Sequence, residues 1–540
     1  MPAPRPLPDT PDLDQLRRQA KDLLRAARAA DPGALSRFRS LPTYARVADD
    51  ALSRAPLALH DAQSVIAREH GFPSWNALRE RVEELTLGHD AAVREFVEAA
   101  TDGRGARAER LLALHPRLAD ASFHAALVLG DAAAVEAHLA RRPVLARETA
   151  REAGGPRGWE PLHYVCHTAL GRRATDAGDG LVAVARQLLA LGADPNLRFP
   201  WLHHGVRRPV LWGATRVVQV PRLAELLLSA GADPDDGVTL PLAASAGDLV
   251  TLELLRAHGA SPDQPWATDG ASTLYAILQW STTAVGVHWL LAHGAAPDPV
   301  FASNGETPMH AVARRWDADL AERLAARGAD PTRPRADGRS PYAVAALEGN
   351  RAVADWLRAR GAADELQPVD RLVAACAGGD RATVEALLAS RPSLRGELAE
   401  EHYSALHRAA ERGDLAALAL LLDCGFDPNR GDAEIGKTAL HSAAHEGQVD
   451  AVRLLLARGA SPAARDREFR GQPLVWAADG ARMHPDRAPD FAAVARLLLD
   501  AGSPDTWEPG DEPADVILEI LADWRRAQSA STSASTTEVA

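Results

Sequence analysis

At 540 residues the chain is too long for one hydrophobic core, so it must divide into several domains or an array of repeats. Hydrophobic residues make up 46% of it but aromatics only 5%, a composition that builds cores from small side chains and lets helices approach closely. A net charge of −13 without a Lys/Arg run lacks the basic footprint of a nucleic-acid binder, and no apolar run reaches the roughly 18 residues of a membrane span.

From the start, MPAPRPLPDT has no apolar core of a signal peptide, so a cytoplasmic protein is expected. Residues 12–30, DLDQLRRQAKDLLRAARAA, form an amphipathic helix with Leu13, Leu16, Ala20, Leu23, Leu24 and Ala27 on one face. Asp31-Pro32 caps and opens a short helix carrying Leu35 and Phe38. Residues 59–85 read as two helices broken at Gly71-Phe72-Pro73, with Phe72 and Trp75 packed in a core rather than exposed as an anchor. We treat residues 1–90 as one helical segment.

A different rhythm begins at residue 91. Segments 91–120 and 123–147 each pair two short helices and end in HPRL or RPVL. Beyond them one phrase recurs: LLALGADPN, LLLSAGADPDD, LLRAHGASPD, LLAHGAAPD, LAARGADPT, LLDCGFDPN and LLARGASPA. Its glycine falls at Gly192, Gly231, Gly259, Gly294, Gly328, Gly361, Gly425, Gly459 and Gly502, about 34 residues per unit once a degenerate unit near 387–396 is counted. A second phrase runs in phase: EPLHYVC, TPMHAVA, SALHRAA, TALHSAA. His310 to Gly328, His407 to Gly425 and His441 to Gly459 each span 18 residues.

The clearest unit is GKTALHSAAHEGQVDAVRLLLARGASP, residues 436–462. Thr438 caps a first helix whose Leu440, Ala443 and Ala444 form one narrow apolar face. Gly447 breaks it. Val449, Val452, Leu455 and Leu456 give a second helix the same period, and Gly459 and Pro462 end it. One unit cannot bury its own face, so neighbours must stack.

This unit resembles the ankyrin repeat, whose pattern is T-P-L-H-x-A-A, then G, a leucine-rich helix, and G-A-D-P. The resemblance covers residues 91–510 and implies an all-α ankyrin-repeat solenoid of about twelve helix-turn-helix-loop units. Residues 1–90 resemble a helical leader often fused to bacterial ankyrin arrays. A break at 362–370 suggests either two sub-arrays, 91–365 and 366–528, or a bend, with the array closed by a capping helix at 512–528. Residues 529–540, SASTSASTTEVA, have the composition of a disordered tail.

Catalytic chemistry is hard to find. There is no phosphate loop, no GxGxxG, no GxSxG and no HExxH. Residues 233–237, DPDDG, look like half a calcium loop without its closing glutamate and read better as a connecting turn. Cys166, Cys376 and Cys424 are far apart and make no CxxC pair, as suits a reducing compartment. His163, Cys166 and His167 give a zinc-competent spacing, with His203 and His204 further on. The stronger reading is structural: His163 occupies the TPLH position, and the resemblance implies that such a histidine tethers the neighbouring loop. We expect no metal, no cofactor and no catalytic residue.

The resemblance implies protein–protein recognition through loop fingers and the concave helix face. In each finger a glycine (Gly158, Gly305, Gly338, Gly436) precedes a residue expected to point outward: Trp159, Glu306, Arg339 and Lys437. The finger FPWLHHGVRR adds Trp201, His203 and His204, and DQPWATDG adds Trp266. Exposed tryptophan is a frequent hot spot, so these eight are the candidate contacts. Trp212 and Trp476 fall in a slot expected to be core. Insertions near 168–180 and 480–490 lie between the paired helices and offer a second contact edge. The expected function is a monomeric, non-catalytic scaffold for a cytoplasmic protein partner. The alternatives are a module that occludes a partner enzyme and a metal site grafted near His163 and His167.

Overall fold

A computed structural model describes residues 5–8, 10–41, 44, 47, 49–55, 57–148, 158–172, 177–200, 207–363, 366–432, 435–504, 517, 520, 521 and 524. The chain forms two compact units, Met1–Ala296 and Pro297–Ala540.

The first unit opens with five helices, Leu13–Arg28, Pro32–Phe38, Asp49–Arg54, Leu59–Glu69 and Trp75–Thr86. Asp12 caps the first by accepting from the N–H of Asp14 at 2.8 Å, and Asp31 caps the second through Ala34 at 2.7 Å. Leu16, Leu23, Phe38, Ile66, Leu78 and Val82 form their shared core, against which Phe72 and Trp75 are half-buried. The helix Asp49–Arg54 was not foreseen; its DDALSR is too short to show a period. Glu84, fully buried, accepts from Arg110 at 2.7 Å and so ties this bundle to the first repeated pair.

Helix pairs then follow: His89–Thr101 with Gly105–Leu114, Phe123–Leu129 with Ala132–Arg141, Pro161–Cys166 with Ala177–Ala190, Val210–Trp212 with Pro221–Ser229, Thr239–Ala246 with Leu249–Ala257, and Thr273–Trp280 with Val285–Ala292. The second unit holds Pro308–Arg315 with Ala318–Ala326, Pro341–Leu347 with Arg351–Ala359, Pro368–Ala377 with Arg381–Ser390, Ser404–Arg412 with Leu415–Asp423, Ala439–His445 with Val449–Ala457, and Pro473–Met483 with Ala488–Asp500. Such short helices are marginal alone, and stacking supplies their stability. Leu440, Ala443 and Ala444, on the predicted face, are all fully buried.

Local chemistry fixes several of the pairs. An Asp at the start of the second helix accepts from the backbone N–H three residues on: Asp131 from Ala134 at 3.0 Å, Asp317 from Leu320 at 2.9 Å, Asp414 from Ala417 at 3.0 Å. Side chains also stitch successive loops. Asn429 donates to the Gly459 carbonyl at 3.0 Å and accepts from Ser461 at 2.7 Å. Asp235 of the DPDDG stretch accepts from Ser261 at 2.7 Å, so it serves a connecting turn.

Three details depart from the sequence reading. The finger at 198–209 contains a short antiparallel strand pair, β1 (Arg198–Pro200) and β2 (Arg207–Pro209). The helix after it continues as a π-helical turn, Gly213–Val218, ended by Gln219 at φ 57°. The insertion near 480–490 lengthens a helix to Met483 and adds a 3-10 turn, rather than forming a loop. Near the C-terminus, buried Ile517, Ile520 and Leu521 join the core of the second unit, and Trp524 donates to Asp500 at 2.9 Å.

Candidate interaction surface

In the second unit the histidines of the recurring phrase tie fingers to helices. The N–H and hydroxyl of Thr438 donate to Nδ1 of His441 at 3.0 and 2.8 Å. Nδ1 is therefore the bare nitrogen and Nε2 carries the proton, which it donates to the Gly471 carbonyl in the next finger at 3.2 Å. His310 repeats this with Thr307 and the Arg339 carbonyl, and His407 donates to the Arg430 carbonyl at 3.3 Å. Burial holds all three pKa values down, that of His441 to about 4, so the rings stay neutral.

The finger residues expected to point outward do not. Glu306 is 1% exposed and accepts from Arg314 and Arg335. Arg339 runs along the finger layer to Asp370 at 3.1 Å, and Asp370 accepts from His402 at 2.9 Å. Lys437 reaches back to Glu411 at 3.3 Å and lies 5.9 Å over the ring of Trp476. The reason is charge: Glu306 meets Arg335 of the next finger, Arg339 meets Asp370 on the helix Pro368–Ala377, and Lys437 meets Glu411 on the helix Ser404–Arg412. The Arg339 and Lys437 side chains keep 17% and 23% exposure, so only a margin of each faces outward. Trp476, expected in the core, is half-buried with its indole N–H on Asp466 at 3.0 Å.

In the first unit Trp159 is also turned inward. It is half-buried in an aromatic nest with His163, Tyr164, His167 and Phe199, ring centres 5.1–6.0 Å away. Trp212 is buried at the edge of this nest, as expected, with Arg208 stacked 4.5 Å above it. Here the tether fails. Among the described residues neither ring nitrogen of His163 meets a hydrogen-bond partner, and Phe199 of β1 packs against the ring at a steep angle, 5.4 Å away. The residue three before it is Glu160 rather than the capping threonine. The helix ends at Cys166, so His167 is its C-cap, with Nδ1 on the His163 carbonyl at 3.0 Å. Gly213 makes room for that ring: a Cβ there would lie 2.4 Å from it. Burial lowers His163 to about 4 and His167 to about 3, and raises the Cys166 thiol. Among the described residues no group of three or more His, Cys, Asp or Glu is placed to hold a metal. Trp201, His203 and His204 lie outside the described residues.

Trp266 keeps an outward aspect. Its finger is a tight hairpin, the Trp266 N–H donating to the Ala271 carbonyl at 2.7 Å, and its half-buried ring lies 5.9 Å from Trp280. Trp280, at the end of the helix Thr273–Trp280, is 41% exposed, and sequence reasoning missed it. Its only signal was an aromatic one residue before a helix-ending serine. Exposed Leu249, Val250 and Val285 stand at the turns between the paired helices, where Val285 touches Gly247.

No described helix is long and apolar enough to cross a membrane. Comparison with curated proteins gives no match. Residues 372–466, which hold three of the helix pairs, match the family model described as ankyrin repeats in 3 copies. Ankyrin repeats generally mediate protein–protein interaction and are typically non-catalytic. Over that segment the chain carries ankyrin repeats, and its fold is an all-α ankyrin-type repeat architecture.

Proposed function

We propose that the protein is a non-catalytic scaffold that binds another protein through the fingers and adjoining helix face, with Trp266 and Trp280 as the anchor. The observation that carries this reading is the pair itself. A half-buried indole on a rigid finger leans against a 41% exposed indole on a helix, so the contact is largely preorganised. In the second unit, taken by itself, Arg339 and Lys437 are partly exposed cations and remain candidate contacts, and Glu306 pairs with Arg314 and Arg335. Trp159 supports its finger from within. Trp201, His203 and His204 remain candidate contacts on sequence grounds. The domain plan is a helical segment at 1–90 and repeats from 91 to 528, in a monomeric cytoplasmic protein. The net charge of −13 favours a protein over a nucleic acid as partner.

An affinity capture from cell extract, comparing wild type with a Trp266→Ala/Trp280→Ala variant of equal Tm, tests the reading. A protein held by wild type and released by the variant is expected. Retention of the same proteins by both would remove the tryptophan pair from the account.

A further inference from the structure

The chain has only 3 cysteines, and two of them meet. Cys376 lies in the helix Pro368–Ala377, and Cys424 caps the helix Leu415–Asp423. They are 48 positions apart, yet their sulfurs are 3.3 Å from each other, both thiols free and both side chains buried. The third, Cys166, is buried in the other unit.

The helix that follows that of Cys376, Arg381–Ser390, buries only Val384, with Leu387 and Leu388 half-buried against the same core as the two cysteines. A helix with so little buried surface opens locally at small cost, which gives a small reagent a route to the sulfurs.

We propose that Cys376 and Cys424 form a reversible dithiol–disulfide site, closed by a hydroperoxide and reopened by a low-molecular-weight thiol. The two thiols share one hydrogen bond in which either sulfur can donate. The thiolate of one attacks hydrogen peroxide: an S–O bond forms, the O–O bond breaks, and hydroxide leaves. The other sulfur then attacks the resulting sulfenic sulfur: the S–S bond forms, the S–O bond breaks, and the oxygen departs as water. Two thiols are oxidised and one peroxide is reduced to two waters. Two equivalents of an external thiol reverse this through a mixed disulfide and are themselves oxidised to a disulfide. The closed bridge fastens the helix carrying Asp370, the partner of Arg339 and His402, to the next repeat, and stiffens the centre of the second unit.

The test treats the folded full-length chain with hydrogen peroxide, then quenches, unfolds and alkylates it for peptide mapping. The expected product carries one alkyl group, on Cys166, where untreated chain carries three, and gives one crosslinked peptide pair containing Cys376 and Cys424. Dithiothreitol restores all three thiols, and Cys376→Ala abolishes the crosslink. Closure raises the Tm of wild type and of Cys166→Ala but not of Cys376→Ala. Should a variant fold poorly, wild type treated in urea serves as the second comparison: pairing is then expected to lose its preference for Cys376 with Cys424. Three free thiols after a dose that fully oxidises free dithiothreitol would overturn the proposal. So would sulfinic acid at Cys376 or Cys424 without a crosslink, or pairing no more selective in the folded chain than in urea.

Discussion

The Nε2 of His310 donates to the carbonyl of Arg339, 29 positions later and 3.2 Å away. The same bond joins His441 to Gly471, and in both repeats the other ring nitrogen receives the capping threonine. Replacing the ring leaves a finger carbonyl and a buried N–H without partners. His441→Ala should therefore destabilise the second unit by roughly 1–3 kcal/mol in urea unfolding. His163→Ala leaves no such carbonyl bare, so its cost should come from packing alone.

Glu306 sits beneath two arginines with 1% exposure. Glu306→Ala removes the buried carboxylate that Arg314 and Arg335 share, while Arg335 keeps Asp337 at 2.7 Å. The expected loss is about 1–3 kcal/mol, larger than for Glu306→Gln, which keeps acceptor geometry at one oxygen. Equal losses in the two variants would mean that charge is not what holds this layer.

Gly286 allows the helix Val285–Ala292 to approach its neighbour so closely that a Cβ would lie 1.9 Å from the Ala244 carbonyl oxygen. Gly286→Ala should cost about 1–3 kcal/mol by overpacking despite alanine's better helix propensity. A variant as stable as wild type in thermal unfolding would contradict this contact.

Stability should fall on both sides of neutrality, for opposite reasons. Burial lowers His163 and His441 to about 4 and His167 to about 3. The unfolded chain, with histidines near 6.5, binds more protons in this range, so stability present above about pH 6.5 is lost as pH falls toward 4. His445 is the reverse case. Asp479 at 3.4 Å and Glu446 at 3.1 Å raise it to about 9. Its contribution is full below about pH 6.5 and is lost as pH rises through 9. His445→Gln should flatten the alkaline limb of a urea-midpoint profile and also soften the loss at acid pH, because His445 is what holds the Glu446 and Asp479 carboxyls low.

What the sequence disclosed was mostly local. Thr438 with His441, Asp31 with Pro32, and the periodic leucines act within one or two turns, so their spacing alone locates them. The orientation of Glu306, Arg339 and Lys437 was not legible, because their partners Arg335, Asp370 and Glu411 lie about thirty positions away. Trp159 was misjudged for a related reason: Phe199 and His167, which enclose it, meet it only once the finger has folded back. Trp280 was missed because its exposure depends on how the neighbouring repeat packs. The encounter of Cys376 with Cys424 was equally hidden by sequence distance.

The central claim is that Trp280, leaning on Trp266, anchors a protein partner. The most direct measurement is the Kd of the captured partner, by calorimetry, for wild type and for Trp280→Ala at equal folded stability. The account predicts binding weaker by about tenfold or more, the loss expected of a hot-spot aromatic. A Kd unchanged by the substitution would contradict it.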